Sequence, residues 1–242
     1  MDEMLELLNR GLETMGLSGQ IPPGSAGQLE TYGRLLLEKN KVMNLTAITD
    51  PVDVVNLHML DCAALLRMPG VDFQQKRLLD VGTGAGFPGM VLKILLPGLD
   101  VTLLDSLNKR LDWLAEVCGR LELEGIRMLH ARAEEQAHEP GFRDGFDIVT
   151  SRAVAPLELL CELCLPFVKP GGVFLAMKSV DCEEEISRAA RGIQALGGTL
   201  RSGWDYTIPG TAVTHRVVSI EKSAPTPKGF PRRWAKIQKA PL

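Results

Sequence analysis

The chain has 242 residues, 45% hydrophobic and 24% charged, which is typical of a globular protein long enough to bury a core. Its net charge of −3 argues against nonspecific nucleic-acid binding by the chain as a whole. No apolar run approaches the roughly 20 residues that span a bilayer. The acidic, amphipathic start fits neither a secretory signal nor a transit peptide. We therefore expect a cytoplasmic protein that does not enter membranes.

Residues 1–70 are predicted to form a helical extension. Apolar residues recur with a helical period over 1–17 and again over 28–39. A third helix is predicted to begin at Asp50, a residue type suited to the N-cap, with Pro51 at the first helical position. This helix is expected to end near residues 67–70.

Residues 71–223 alternate between predicted strands and helices, which indicates a doubly wound α/β fold with a mostly parallel sheet. Two further strands, 199–208 and 215–223, have a short connection and predict an antiparallel hairpin at the sheet edge. The strands of the alternating part are predicted at 77–81, 101–105, 126–130, 146–150 and 173–177, and the helices at 88–96, 107–121, 156–168 and 182–196.

A glycine-rich stretch, residues 82–89, follows the first predicted strand, and Asp105 ends the second. In a doubly wound sheet the ligand crevice lies at the carboxyl ends of the strands, so both features fall in the same place. Glycines let a ligand approach the backbone, and a carboxylate can accept two hydrogen bonds from a ribose diol. The stretch is therefore predicted to bind an adenosine-containing ligand.

The glycine spacing leaves two ligands open. Gly84, Gly86 and Gly89 match the dinucleotide fingerprint of an NAD-dependent oxidoreductase. Pro88, however, removes an N–H group that such a helix start would direct at a pyrophosphate. The register of Gly82, Gly84 and Gly86 instead resembles the D-x-G-x-G-x-G loop of class I S-adenosylmethionine-dependent methyltransferases, whose Rossmann-like sheet ends in a hairpin.

Five cysteines are scattered through apolar, helical sequence. Cys161 and Cys164 have the spacing of half a zinc site or of a redox pair, but a zinc site normally needs a second pair. We interpret all five as buried, reduced residues and expect no metal.

Several strings between about residues 40 and 180 resemble one family, RsmG, also called glucose-inhibited division protein B. They are "NLTAITDP" (44–51), "HMLDC" (58–62), "LLDVGTGAGFPG" (78–89), "LLDSLNKRLDWL" (103–114), "ARAEE" (131–135), "DIVTSRAVAPL" (147–157) and "KPGG…AMKS" (169–179). Family members methylate guanine N7 in small-subunit ribosomal RNA. The resemblance implies an S-adenosylmethionine-dependent methyltransferase whose partner is 16S rRNA or the small ribosomal subunit. The C-terminal "PRRWAKIQKAPL" (231–242) departs from the family's usual tail.

The resemblance also implies the cofactor contacts, all in segments that follow strands. They are Gly82, Gly84 and Gly86 for the methionine moiety, Phe87 beside them, Asp105 and Ser106 for the ribose, Ala133 and Glu134 for the adenine, and Arg152 facing cofactor and substrate.

Guanine N7 carries a free lone pair at neutral pH, so no general base is predicted; alignment and proximity should supply the catalysis. N7 lies in the deep major groove of A-form RNA, so the target base is expected in a loop or splayed out. A noncatalytic RNA-binding assembly factor remains a third alternative. The candidate RNA contacts are Asn44, His58, Arg152, Lys178, Arg232 and Arg233.

Residues 224–242 are predicted to be a basic tail. From 222 to 242 there are six basic residues and no acidic one, and subtracting them from the net charge leaves −9 on the preceding 221 residues. Such a tail often contacts phosphates, and Arg232 and Arg233 beside Trp234 suit an unpaired base. Alternatively, the tail packs on the fold through its apolar residues, Phe230, Trp234 and Ile237.

Overall fold

An eight-stranded sheet runs through the computed structural model, which describes residues 3–242. The spatial order is β3-β2-β1-β4-β5-β8-β6, with β7 paired to β8. The pairings among β1 to β5 are parallel, which confirms the predicted doubly wound fold. The strands are β1 (Arg77–Val81), β2 (Asp100–Asp105), β3 (Ile126–His130), β4 (Phe146–Arg152), β5 (Val168–Ser179), β6 (Gly198–Leu200), β7 (Trp204–Thr207) and β8 (Thr214–Lys222).

Helices cover both faces of this sheet. On each face, apolar side chains of the helices and of the strands form one buried cluster. The helices are α1 (Glu3–Thr14), α2 (Ser25–Met43), α3 (Pro51–Val54), α4 (Asp61–Ala63), α5 (Gly89–Leu95), α6 (Asn108–Arg120), α7 (Ala133–Gln136), α8 (Leu157–Cys164), α9 (Glu183–Ala195) and α10 (Trp234–Lys239). A π-helical segment, Val55–Leu60, joins α3 to α4, and 3-10 turns follow α4 (Ala64–Arg67) and α8 (Leu165–Phe167).

The N-terminal helices share a core with the sheet. Leu8 of α1 and Leu36 of α2 belong to the same buried cluster as Leu103 of β2. The predicted start of the third helix is confirmed, since the Asp50 carboxylate accepts from the backbone N–H groups of the second and third residues after it. This helical run ends at Arg67 and leads the chain into β1.

The predicted hairpin is present, but its first strand is interrupted. Both β6 and β7 pair antiparallel with β8, while residues 201–203 leave the strand. At Gly203 an added Cβ would lie 3.0 Å from Cδ of Arg216, a side chain of β8. The prediction of one continuous strand over 199–208 is therefore wrong for residues 201–203, where the chain passes close to the Arg216 side chain.

The cysteine side chains are free and buried. Cys161 and Cys164 both lie in the cluster between α8 and the sheet, and burial raises the pKa of each thiol. Among residues 3–242 no His, Cys, Asp and Glu side chains form a group of three that could hold a metal. None of the helices in that range combines the length and apolarity needed to cross a bilayer.

The C-terminal tail packs on the fold and ends in α10, which the sequence analysis missed. Ile237 of this helix is fully buried in the cluster that also contains α8 and α9, and Phe230 and Trp234 pack against it. The structure thus places the tail as the second of the two predicted alternatives describes.

Candidate active site

The three glycines of the loop between β1 and α5 face different surroundings, although all have a positive φ. An added Cβ at Gly82 would lie 2.6 Å from Val154, and at Gly86 it would lie 2.6 Å from the Tyr32 hydroxyl. At Gly84 the nearest atom would be a backbone oxygen 3.9 Å away. Gly84 is therefore where a ligand can approach the backbone, whereas the other two glycines make room for protein side chains.

Asp80, at the end of β1, holds this loop in place. Its fully buried carboxylate accepts hydrogen bonds from the hydroxyls of Thr83 (2.7 Å) and Thr150 (3.0 Å) and from the N–H of Gly89 (3.0 Å). Burial raises the pKa of Asp80 despite these bonds. Because Gly89 begins α5, this N–H is directed at Asp80 and away from any pyrophosphate, which counts against the dinucleotide alternative.

Asp80 was not among the site residues predicted from sequence, although it is the leading Asp of the D-x-G-x-G-x-G pattern. Its role was missed because a buried carboxylate that organises a loop has no ligand chemistry of its own to suggest it.

Asp105, at the end of β2, is buried and lies directly beside Gly84. One carboxylate oxygen accepts from the N–H of Gly84 at 2.9 Å and the other from the N–H of Leu107 at 2.9 Å. The Arg110 guanidinium lies 3.4 Å away. Each carboxylate oxygen has two lone pairs. The oxygen bonded to Leu107 can therefore accept one further hydrogen bond from a ligand, whereas the other already accepts from both Gly84 and Arg110.

Two adjoining cavities contain most of the predicted cofactor residues. A cavity of about 430 Å³ at the carboxyl ends of the strands is lined by Gly82, Gly84, Phe87, Asp105, Ser106 and Arg152, among others. A smaller cavity of about 170 Å³ shares Gly82 and Ser106 with it and adds Ala133 and Glu134. A larger cavity, about 640 Å³, lies near Lys76 and Gly172 at the amino ends of the strands, away from this crevice.

The second cavity is shaped by the start of α7. Ala133 and Glu134 are both buried there, and the Glu134 carboxylate accepts from Nε of Arg132 at 2.6 Å. Glu134 is the second residue of α7, where a backbone N–H has no intrahelical acceptor. That N–H is free to donate a hydrogen bond to a ligand.

Arg152, at the end of β4, lies at the centre of a polar cluster that reaches the N-terminal helices. Its guanidinium donates to the Leu57 carbonyl (3.0 Å), the Asp61 carboxylate (3.1 Å) and Nδ1 of His58 (2.8 Å). The guanidinium carbon is also 5.0 Å from the centre of the Phe87 ring. These contacts tie the fourth strand to the segment that covers the crevice.

His58 is held in one neutral form. Burial and the neighbouring charge of Arg152 lower its pKa to about 4, so the ring is uncharged at neutral pH. A guanidinium can only donate, so Nδ1 accepts and Nε2 carries the proton, which is directed at the Thr46 hydroxyl 2.8 Å away. The ring stacks on Phe87, with centroids 4.6 Å apart.

Asp61 joins this cluster to the terminal hairpin. Its carboxylate accepts from the Tyr206 hydroxyl and from Nδ1 of His215, each at 2.7 Å, as well as from Arg152. Burial acts to raise the pKa of Asp61, but the bond from His215, the charge of Arg152 and the bond from Tyr206 together lower it. Asp61, Tyr206 and His215 were missed from sequence, because they come from segments about 150 residues apart.

The predicted RNA contacts fare differently. Asn44 is exposed in a left-handed conformation at the end of α2, and Arg233 is exposed in the tail. Lys178 instead donates to the Glu185 carboxylate at 2.6 Å and to a backbone carbonyl. Arg232 forms a paired contact with the buried Glu162. Lys178 and Arg232 thus have internal partners, and their contact with RNA stays a prediction.

Comparison with known proteins places the chain in a family. A model of the family described as "GidB: rRNA small subunit methyltransferase G" matches residues 25–202. A protein of Lachnoclostridium phytofermentans named "Ribosomal RNA small subunit methyltransferase G" is 45% identical over 96% of this chain and 95% of its own length. This chain belongs to the rRNA small subunit methyltransferase G family. A relative with the same name from Alkaliphilus oremlandii is 40% identical and is covered, like this chain, over 99% of its length.

Solved structures agree with the fold. The structure of TrmN from Thermus thermophilus is 27% identical and superimposes with a TM-score of 0.50 over 66% of this chain and 48% of that longer chain. The family predicted from the sequence strings is thus confirmed by the family match and by the relatives, and the fold class by the sheet topology.

Proposed function

We propose that this protein transfers the methyl group of S-adenosylmethionine to N7 of a guanine in 16S ribosomal RNA. We place this reaction in the cytoplasm, where the small ribosomal subunit is assembled. The observation that carries the proposal is the pairing of Gly84 with Asp105 in the crevice of a chain of this family. A backbone open to a ligand lies there beside a buried carboxylate that can still accept hydrogen bonds.

The residues present fit the cofactor. Gly84 leaves space at the backbone where an added Cβ would begin to fill it. The Asp105 oxygen bonded to Leu107 has a lone pair for one ribose hydroxyl, and the second hydroxyl would replace the 3.4 Å contact from Arg110 on the other oxygen. The free N–H at the start of α7 suits an adenine nitrogen, and the apolar lining of the smaller cavity suits the purine face. When bound, the cofactor supplies an electrophilic methyl group on a sulfonium.

The chain's own groups then have to align the acceptor and tolerate a positive charge on the base. Because guanine N7 has a free lone pair, no side chain of this chain would need to remove a proton before the sulfonium gave up its methyl group to N7. Neutral His58 and the Phe87 ring present uncharged surfaces to this region. The charge of Arg152 is offset by Asp61, so the cluster does not confront the base with an unpaired cation.

Arg152 is also placed to hold the substrate. Three of its hydrogen bonds are internal, and a guanidinium has five N–H donors. We assign the remaining two to guanine O6 or to a phosphate. Asn44 and Arg233, both exposed, are proposed as outer RNA contacts, while His58 acts by orienting Arg152.

The test is transfer of a labelled methyl group to small-subunit particles and to naked 16S RNA, followed by mass mapping of the modified guanines. We expect one guanine to gain a methyl group at N7 and S-adenosylhomocysteine to form in equal amount. Binding of S-adenosylmethionine without transfer to either substrate would favour the assembly-factor alternative, and binding of NAD alone would favour the oxidoreductase.

A further inference from the structure

Part of the tail is fastened to the fold by backbone and buried contacts before it reaches α10. Lys222 is fully buried, and its ammonium donates to the Asp144 carboxylate at 2.7 Å. The Arg143 guanidinium donates to the carbonyls of Thr226 (2.8 Å), Pro227 (3.0 Å) and Phe230 (2.7 Å). One arginine thus holds three carbonyls of the tail, and the path of the chain up to residue 230 is fixed.

A second set of contacts fixes the chain on both sides of Trp234. The Arg232 side chain pairs with the Glu162 carboxylate, which also accepts from the backbone N–H of Arg232 at 2.7 Å. The His138 ring bonds to the Pro231 carbonyl at 3.0 Å. Three residues after Trp234, Ile237 is fully buried. The indole between these anchors is therefore held in one place.

That place is the wall of the smaller cavity. Trp234 lines it together with Ala133 and Val154, and the cavity shares Gly82 and Ser106 with the one that contains Gly84 and Asp105. The Trp234 indole is partly exposed, and the Arg132 guanidinium lies 6.0 Å from its ring centre. An aromatic face held beside an apolar slot, next to a free helix N–H, is an arrangement that stacks on a purine.

We propose that Trp234 contacts the adenine ring of S-adenosylmethionine, so that the C-terminal tail completes the cofactor site. This inference rests on the proposed function, because it needs the crevice to hold that cofactor. It differs from the prediction made from sequence, in which Trp234 stacks on an RNA base. Arg132 lines the same slot, bonded to Glu134 and near the indole.

The experiment measures S-adenosylhomocysteine binding to the full chain by calorimetry. Trp234→Ala should weaken binding roughly five- to hundredfold, the range for removal of one aromatic stacking partner of a base. Trp234→Phe keeps a ring and should restore most of the affinity. Gln238→Ala, an exposed residue of the same helix, is the matched control and should bind as the unsubstituted chain does.

Fluorescence supplies a second measurement that does not depend on the alanine variant folding. S-adenosylhomocysteine should quench the tryptophan emission of the unsubstituted chain, and Trp234→Phe should lose this quenching while still binding. Quenching that persists unchanged in Trp234→Phe overturns the inference, since the responding tryptophan is then elsewhere.

Two outcomes separate this inference from the proposed function. If the unsubstituted chain does not bind S-adenosylhomocysteine, the proposed function fails and the inference fails with it. If the unsubstituted chain binds and Asp105→Ala weakens binding, but Trp234→Ala binds normally and only its affinity for RNA falls, the cofactor site stands and Trp234 belongs to the RNA interface.

Discussion

The segment from residue 78 to residue 106 combines local contacts with distant ones, such as that of Asp80 with Thr150, whereas the tail from 224 to 242 is held on the fold by distant residues. In the first, Thr83 bonds to Asp80 three residues away, and Gly84 bonds to Asp105 over 21 residues. In the tail, Arg232 reaches Glu162 over 70 residues. Contacts between residues close in sequence can be predicted from a local sequence pattern, whereas contacts between distant residues cannot.

This difference explains how much of each region could be predicted from sequence. The glycines and Asp105 lie in one strand–helix–strand unit, so their order along the chain already brings them together. Residues 222–242 have six positive charges near one another and none of their partners. Counting charges there predicted a surface for phosphates, yet Lys222 and Arg232 turn inward to Asp144 and Glu162.

Truncation after Ser223 should have the largest effect and tests whether the tail is part of the fold. It removes the buried Ile237 and leaves Glu162 buried without its cation, a change that costs about 3–5 kcal/mol by itself. We expect the melting temperature to fall by roughly 10 °C or more, and cofactor and RNA binding to weaken together. Calorimetric melting and S-adenosylhomocysteine titration measure both.

The matched variant keeps the tail and neutralises only its exposed charges, with Lys228, Arg233, Lys236 and Lys239 each changed to alanine. It should melt like the unsubstituted chain and show a shallower salt dependence of RNA binding, by roughly 0.7–0.9 in slope for each phosphate that the tail no longer neutralises. A truncated chain that melts and binds normally would show that the fold does not depend on the long-range contacts of the tail.

Gly84→Val, in the segment from residue 78 to residue 106, should have the next largest effect, which is on cofactor binding. A branched side chain at this position would enter the space proposed for the cofactor, and the left-handed backbone (φ 58°) adds strain. We expect cofactor binding to be abolished while the sheet stays folded. Gly70→Val is the control, since Gly70 has φ 75° and open space but lies outside the crevice. Normal binding by Gly84→Val would remove the loop from the site.

Asp105→Ala should weaken S-adenosylmethionine binding by about 1–3 kcal/mol, because two charge-assisted hydrogen bonds to the ribose are removed. The change also frees the N–H groups of Gly84 and Leu107, so the loop loosens. Asp100→Ala, at the exposed start of the same strand, should leave affinity unchanged. An unaltered dissociation constant for a folded Asp105→Ala variant would refute the ribose assignment.

Most of the fold was predictable because strand and helix periods are local. The five parallel strands and the N-cap at Asp50 follow from short stretches of sequence. Two features were not predictable in this way: the break at residues 201–203 and the helix α10. Both depend on packing against distant side chains, as at Gly203 beside Arg216.

The same limit applies to the candidate site. Gly84 and Asp105 could be named from sequence, but the partners of Arg152 could not, because Asp61 is 91 residues away along the chain. Nor could sequence separate Gly84, which borders open space, from Gly86, which makes room for Tyr32.

The smallest predicted effect concerns the long-range contact between His215 and Asp61. It is tested by the pH dependence of the melting temperature. The hydrogen bond to Asp61 raises the pKa of His215 above its unfolded value. Its contribution to stability is therefore complete below the unfolded pKa and disappears as the pH rises through the folded one. Asp61 acts in the opposite sense: its pKa is lowered, so its contribution disappears only in acid.

The melting temperature of the unsubstituted chain should therefore exceed that of His215→Gln most at about pH 6 and least at about pH 9. Tyr206→Phe is the matched variant. It removes a neutral donor from the same carboxylate, and burial raises the pKa of Tyr206 beyond this range, so its deficit should stay nearly constant with pH. Equal pH profiles for the two variants would mean that protonated His215 does not stabilise the cluster. The link between the hairpin and the N-terminal helices would then rest on the neutral contacts and Arg152 alone.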